Sequence, residues 1–134
     1  MPQMIFVNLP VKDLEVSKAF FTALGYTINP QFTDENAACV VISDTIYSML
    51  ITEPFFKQFT KKEIADATRT TEVLVCLSAE SREDVDRLVD TALASGGSPA
   101  NEPQEQGPMY GRSFQDPDGH IWEVMWMDPA AVQG

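Results

Sequence analysis

The stretch DPDGHIWEVMWMD, residues 116 to 128, brings together a tight turn, the only histidine of the chain and a glutamate flanked by tryptophans. His120 and Glu123 are the groups there that can ligate a metal or move a proton. If the residues after the turn form a strand, alternation places Ile121, Glu123 and Met125 on one face, and His120, Trp122, Val124 and Trp126 on the other. His120 is therefore not expected to join Glu123, and the two tryptophans are expected to pack against a helix. Upstream, Met109, Tyr110 and Arg112 follow the turn-rich NEPQEQGP. That segment suits a lip closing on an anionic or aromatic ligand, with a salt bridge from Arg112 to an acidic neighbour as the alternative. Cys39 and Cys76 lie in apolar runs without a CxxC partner, which predicts buried, reduced thiols.

Positioning these groups requires strands and helices in a definite order. MIFVNLPV reads as a strand that Pro10 confines to an edge or an end. Asp13 caps a helix through LEVSKAFFTALG, whose Leu14, Phe20, Phe21 and Leu24 form the apolar face and whose Gly25 supplies the stop. Strands follow at YTINPQF, AACVVIS and IYSMLIT, separated by TDEN and SDT. EPFFKQFTKKEIADATRT changes character, and Thr60 with Glu63 predicts a capping box for a short helix there. From Thr71 the order restarts: strand EVLVCLS, then helix SREDVDRLVDTALASGG. That helix is capped by Ser81 and Asp84, carries an apolar stripe of Val85, Leu88, Val89 and Ala92, and has a Glu83–Arg87 pair. A weak strand near PANEP, another through MYGRSF, the DPDG turn and the strand HIWEVMWM complete it. The chain thus reads as two βαβββ modules, 1–53 and 71–128, joined by a connector at 54–70 within one domain of residues 1–134. Laying SDTIYSML over DGHIWEVM pairs Ile46 with Ile121, Tyr47 with Trp122 and Ser48 with Glu123, in keeping with a duplication.

Twenty acidic against nine basic residues give a net charge of -11. Such a chain repels phosphate backbones and anionic lipid, so neither nucleic acid nor a membrane is an expected partner. No run reaches the roughly 18 apolar residues of a spanning helix, and MPQMIFVNLP has no signal-peptide character, which predicts a cytoplasmic protein.

The repeated βαβββ order, with LPVKDLEVSKAFFTALGY near the start and GRSFQDPDGHIWEVMWMD near the end, resembles the vicinal oxygen chelate superfamily of glyoxalases, bleomycin-resistance proteins and extradiol dioxygenases. The resemblance implies an α+β fold in which the two modules form a concave mixed sheet around one cavity, with pairing into homodimers. It also implies, in the metal-bearing members, four ligands from the first and last strands of the two modules. Carried over, those places fall on Phe6 and Ser48 in the first module and Glu72 and Glu123 in the second. Phe6 donates nothing, so a glyoxalase-type nickel or zinc centre is not expected. The expectation is no cofactor, or a divalent ion such as Mg²⁺ held weakly by Glu72 and Glu123. Without a cation the two carboxylates would repel, and one would keep its proton; such a pair can act as base and acid beside a carbonyl. The expected cavity is mostly apolar, with Phe6, Asn8, Ser48, Leu74, Tyr110 and Arg112 touching a small-molecule ligand. Two readings follow: a binding protein for a small organic ligand, or a lactoylglutathione-lyase-related lyase, isomerase or dioxygenase using Glu72 and Glu123.

Overall fold

The computed structural model describes residues 2–131, in two compact units, Met1–Asp66 and Ala67–Gly134. The division falls inside the connector expected from sequence.

The first unit runs β1 (Ile5–Val11), α1 (Leu14–Ala23), β2 (Thr27–Asn29), β3 (Ala37–Val41) and β4 (Ile46–Thr52). Its mixed sheet has the order β1-β4-β3-β2, with β1 parallel to β4 and the other neighbours antiparallel. The Asp13 side chain accepts hydrogen bonds from the amides of Glu15 and Val16, satisfying donors that α1 cannot satisfy itself. Helix α1 buries Leu14, Ser17, Phe20 and Phe21 against the sheet face that carries Leu9, Val11, Val40 and Leu50. The opposite face stays open and carries Phe6, Asn8, Tyr47 and Met49, since Phe6 stands opposite Tyr47 and Asn8 opposite Met49. Strand β2 is shorter than the expected YTINPQF. Pro30 cannot donate to a ladder, and the Asn29 side chain accepts from the Gln31 amide, so Pro30–Phe32 coils into a 3-10 turn.

Beyond β4 a short helix, α2 (Glu53–Phe56), starts with Pro54 in its first turn and passes into a 3-10 turn at Lys57–Phe59. The helix expected from Thr60 and Glu63 does not form. The Thr60 hydroxyl instead accepts from the Lys62 amide at 3.1 Å, a local turn that competes with helix.

The second unit runs β5 (Leu74–Ser78), α3 (Arg82–Ala94), β6 (Ser98–Pro99), β7 (Gln104–Gln106), β8 (Met109–Gln115) and β9 (Ile121–Met127). Strand β9 is parallel to β5 and antiparallel to β8, while β6 and β7 pair with different stretches of β8 along one edge. The expected βαβββ order is therefore present with its outer strand broken into two pieces. Residues 98–106 hold both pieces, where the sequence reading put one weak strand and a flexible lip. Ser81 caps α3 by accepting from the Asp84 amide at 3.0 Å, and Val85, Val89 and Ala92 are buried against the sheet. Arg87 pairs with Asp84 one turn back rather than with Glu83. The DPDG turn closes with the Gly119 amide donating to the Asp116 carbonyl, and Gly119 sits at φ +94. A side chain there would meet the Ala67 carbonyl oxygen at 2.9 Å, so both conformation and space require glycine.

Candidate functional site

In β9 the expected alternation holds. Trp122 and Val124 are buried on the side of α3, and Ile121, Glu123 and Met125 are turned to the opposite, open face. Glu123 stands between Cys76 of β5 and Ser113 of β8, its partners across the two ladders. Gly111 leaves bare backbone beside it, over which the Met125 side chain lies. The result is a shallow, open depression whose lining includes Asn101, Glu102, Gln104, Arg112, Ser113 and Glu123. The Ser113 hydroxyl accepts from the Asn101 amide at 2.9 Å, tying the gap between β6 and β7 to β8. The half-buried Glu123 carboxylate has no hydrogen-bond or ion-pair partner among the described residues. Cys76 is a free thiol on an exposed residue, not the buried one expected; partial desolvation of its sulfur first and the charge of Glu123 second push its pKa up. Cys39 is free and buried as expected.

Several sequence-predicted site residues lie elsewhere. Glu72 is exposed in the bend ahead of β5. It lies ahead of the ladder in which Leu74 pairs with Ile121 and Cys76 with Glu123, so it does not stand opposite Glu123. Ser48 is fully buried on the α1 side of β4, where its hydroxyl donates to the Val7 carbonyl at 3.0 Å. It cannot face a ligand on the open side. Phe6, Asn8 and Leu74 do lie on open faces, with Phe6 stacked on Tyr47 at 4.8 Å between ring centroids and 11° between planes.

Tyr110 and Arg112 face the helix, not the open side, and they form no lip. The Tyr110 hydroxyl donates to Asp86 at 2.5 Å, and the Arg112 guanidinium bonds Asp86 at 3.0 Å and Asp90 at 2.9 Å, both on α3. Arg82 lies over the Tyr110 ring at 4.1 Å and pairs with Glu105 of β7. This cluster clamps α3 to β7 and β8 and uses Arg112 structurally. The hydrogen bond from Tyr110, then the Arg112 guanidinium, hold the Asp86 carboxyl below the ordinary 3.8. The folded state thus binds that proton less readily than the unfolded chain does. The stability Asp86 confers is present above about pH 4 and is lost as pH falls toward the lower folded value. Melting temperatures from pH 5 to 2.5 should fall less steeply in Asp86→Asn than in the wild type; identical slopes would exclude the linkage.

One residue outside the sequence-predicted set governs the turn. Asp116 is 4% exposed, and its carboxylate accepts from the amides of Asp118 and His120 at 3.0 Å and from the Trp122 indole at 3.1 Å. Burial pushes its pKa up. The signal for it was an aspartate opening a turn six residues ahead of a tryptophan on the inward face of the next strand.

The N-terminal residues 3–43 match the family model described as bleomycin resistance protein-like N-terminal. Along the whole chain, a solved hypothetical protein from S. aureus is 33% identical, with 94% of this chain and 95% of that one covered and a TM-score of 0.78. Residues 3–43 thus carry a bleomycin resistance protein-like N-terminal signature, and the chain has the glyoxalase/bleomycin-resistance fold. Its fold is shared with a glyoxalase/bleomycin resistance protein/dioxygenase family enzyme from Burkholderia phytofirmans, at 16% identity and TM-score 0.77 over 94% of this chain and 99% of that one. It is shared too with a bleomycin resistance determinant encoded on the transposon Tn5, at 18% identity and TM-score 0.67 over 95% and 99%. No protein of curated function matches the chain.

The resemblance noted in the sequence places ligands, in metal-bearing members, on the first and last strands of each module, and the helix caps show which residues of this chain hold those places. Phe6 and Leu74 each stand seven residues before their N-caps, Asp13 and Ser81. Asn8 and Cys76 each stand five before, and their partners across the parallel ladder are Met49 and Glu123. The counterpart of Glu123 is therefore Met49, not Ser48, and the counterpart of Phe6 is Leu74, not Glu72. Of Phe6, Met49, Leu74 and Glu123, one carries an oxygen donor. Among the described residues, no three His, Cys, Asp or Glu gather where they could hold an ion. The donor set does not fit a borderline or hard divalent cation, each of which needs several strong ligands.

Proposed function

We propose that this protein binds a small organic molecule on the open faces of its sheets and works without a tightly held transition metal. The observation that carries this reading is the apolar face of the first unit. There Phe6, 47% exposed, stacks on Tyr47 beside Met49, with the Asn8 amide as the polar group that can orient a ligand. Titration with neutral bicyclic aromatics such as quinoline, followed by NMR, tests it. Shifts concentrated at Phe6, Asn8, Tyr47 and Met49 are expected; shifts confined to the helix-side surfaces would refute it. Elemental analysis of protein purified without chelator tests the second half. Stoichiometric nickel, zinc, iron or manganese would return the metalloenzyme reading.

The same reading makes the protein a cytoplasmic homodimer. Its two cysteines are free thiols, as a reducing compartment keeps them, and no described helix is long and apolar enough to cross a membrane. Edge strands β1 and β5 leave Ile5 and Leu74 more than half exposed, surface that a second copy would cover. Ultracentrifugation at tens of micromolar should give twice the 14.9 kDa chain mass; a monomer would count against pairing.

A further inference from the structure

The depression at Glu123 is small and open, and its lining sets the carboxylates of Glu102 and Glu123 beside the backbone of Gly111. Its room is about 10 Å³, enough for a single water-sized group. The Glu123 carboxylate at its edge is half-buried and has no hydrogen-bond or ion-pair partner among the described residues. Arg112, the cation of that lining, carries its guanidinium to the helix side, where it is committed to Asp86 and Asp90. Beside the depression the open face carries Leu74 and Ile121, which are cross-strand partners, and Met125, which lies over Gly111, with Gln115 opposite Ile121 and Ser78 opposite Met125. A half-buried carboxylate without a partner gains most from a ligand that brings its own positive charge and hydrogen-bond donors. The net charge of -11 draws cations toward the surface and repels anions.

We propose that Glu123 is the anchor for a primary ammonium group on an otherwise apolar small molecule. The ammonium enters the depression and donates to the carboxylate, while the apolar body lies along Leu74, Ile121 and Met125. A carboxylate or phosphate is repelled. This rests on the proposed small-molecule reading and names the class of ligand at the second unit's open face.

Three probes of one shape test it: 1-naphthylmethylamine, 1-naphthalenemethanol and 1-naphthoate, titrated at pH 7 against the wild type, Glu123→Gln and the control Glu83→Gln on the exposed side of α3, each checked for unchanged melting. The amine should bind the wild type about tenfold more tightly than the alcohol, the size of one charge-assisted hydrogen bond at a partly buried site, with the acid weakest. Glu123→Gln should erase that preference and Glu83→Gln should keep it. Equal binding of all three probes by the wild type would overturn this inference alone. Binding of none would overturn the small-molecule reading together with it. A preference kept in Glu123→Gln or lost equally in Glu83→Gln, or Mg²⁺ that binds more tightly than the amine and depends on Glu123, would overturn the assignment.

Discussion

Asp116→Ala should lower stability by about 3–4 kcal/mol, the largest effect expected of a single truncation outside the hydrophobic core. The carboxylate is 4% exposed and accepts three hydrogen bonds, from the amides of Asp118 and His120 and from the indole of Trp122. Alanine leaves those donors facing a void, and the indole, on a side chain 1% exposed, has no route to water. Asp116→Asn separates the contributions. Its amide oxygen can still accept from both backbone amides, and it removes the cost of burying a charge, but its NH₂ then opposes the indole N–H. That variant should lose about 1 kcal/mol. Chemical denaturation of the three proteins measures the series, with near-ultraviolet circular dichroism reporting the packing of Trp122. An alanine variant within 1 kcal/mol of the wild type would mean that the turn is held by something other than this carboxylate.

The second large effect is a contrast between neighbours. Ser48→Glu should cost several kcal/mol, enough to unfold the first unit, whereas Met49→Glu should cost about 1–2 kcal/mol. Ser48 is 0% exposed beneath α1, opposite Val40, and its hydroxyl already serves the Val7 carbonyl, so a carboxylate there is buried without a partner. Met49 is partly exposed on the open face opposite Asn8, where a carboxylate keeps its contact with water. The two variants decide which residue is the counterpart of Glu123. Comparable losses in both, or the reverse order, would show that the faces of β4 are assigned the wrong way round. Circular dichroism and denaturant midpoints give the answer.

By itself, the sequence determined the order of elements, because that order is written in local physics. Asp13 and Ser81 cap the two long helices, Gly25 and Gly119 take up positive φ after a helix and within a turn, and IYSMLIT and IWEVMWM carry β-branched and aromatic runs of strand length. It also determined which side of β9 Glu123 faces, since a residue following a well-marked turn inherits its parity from that turn. The tertiary structure decided everything that depends on register between strands. A one-residue slip in matching β4 to β9 moved the counterpart of Glu123 from Met49 to Ser48 and so from the open face to the core. A two-residue slip at β5 left Leu74 on its face but put Glu72 in the place that Leu74 holds. The partner of Arg112 was equally a tertiary matter. Twenty acidic residues were available in the sequence, and the approach of α3 to β8 chose Asp86 and Asp90. In a sheet, faces follow from alternation along one strand, but partners follow from hydrogen-bonded register and helix packing, which single-strand patterns do not encode.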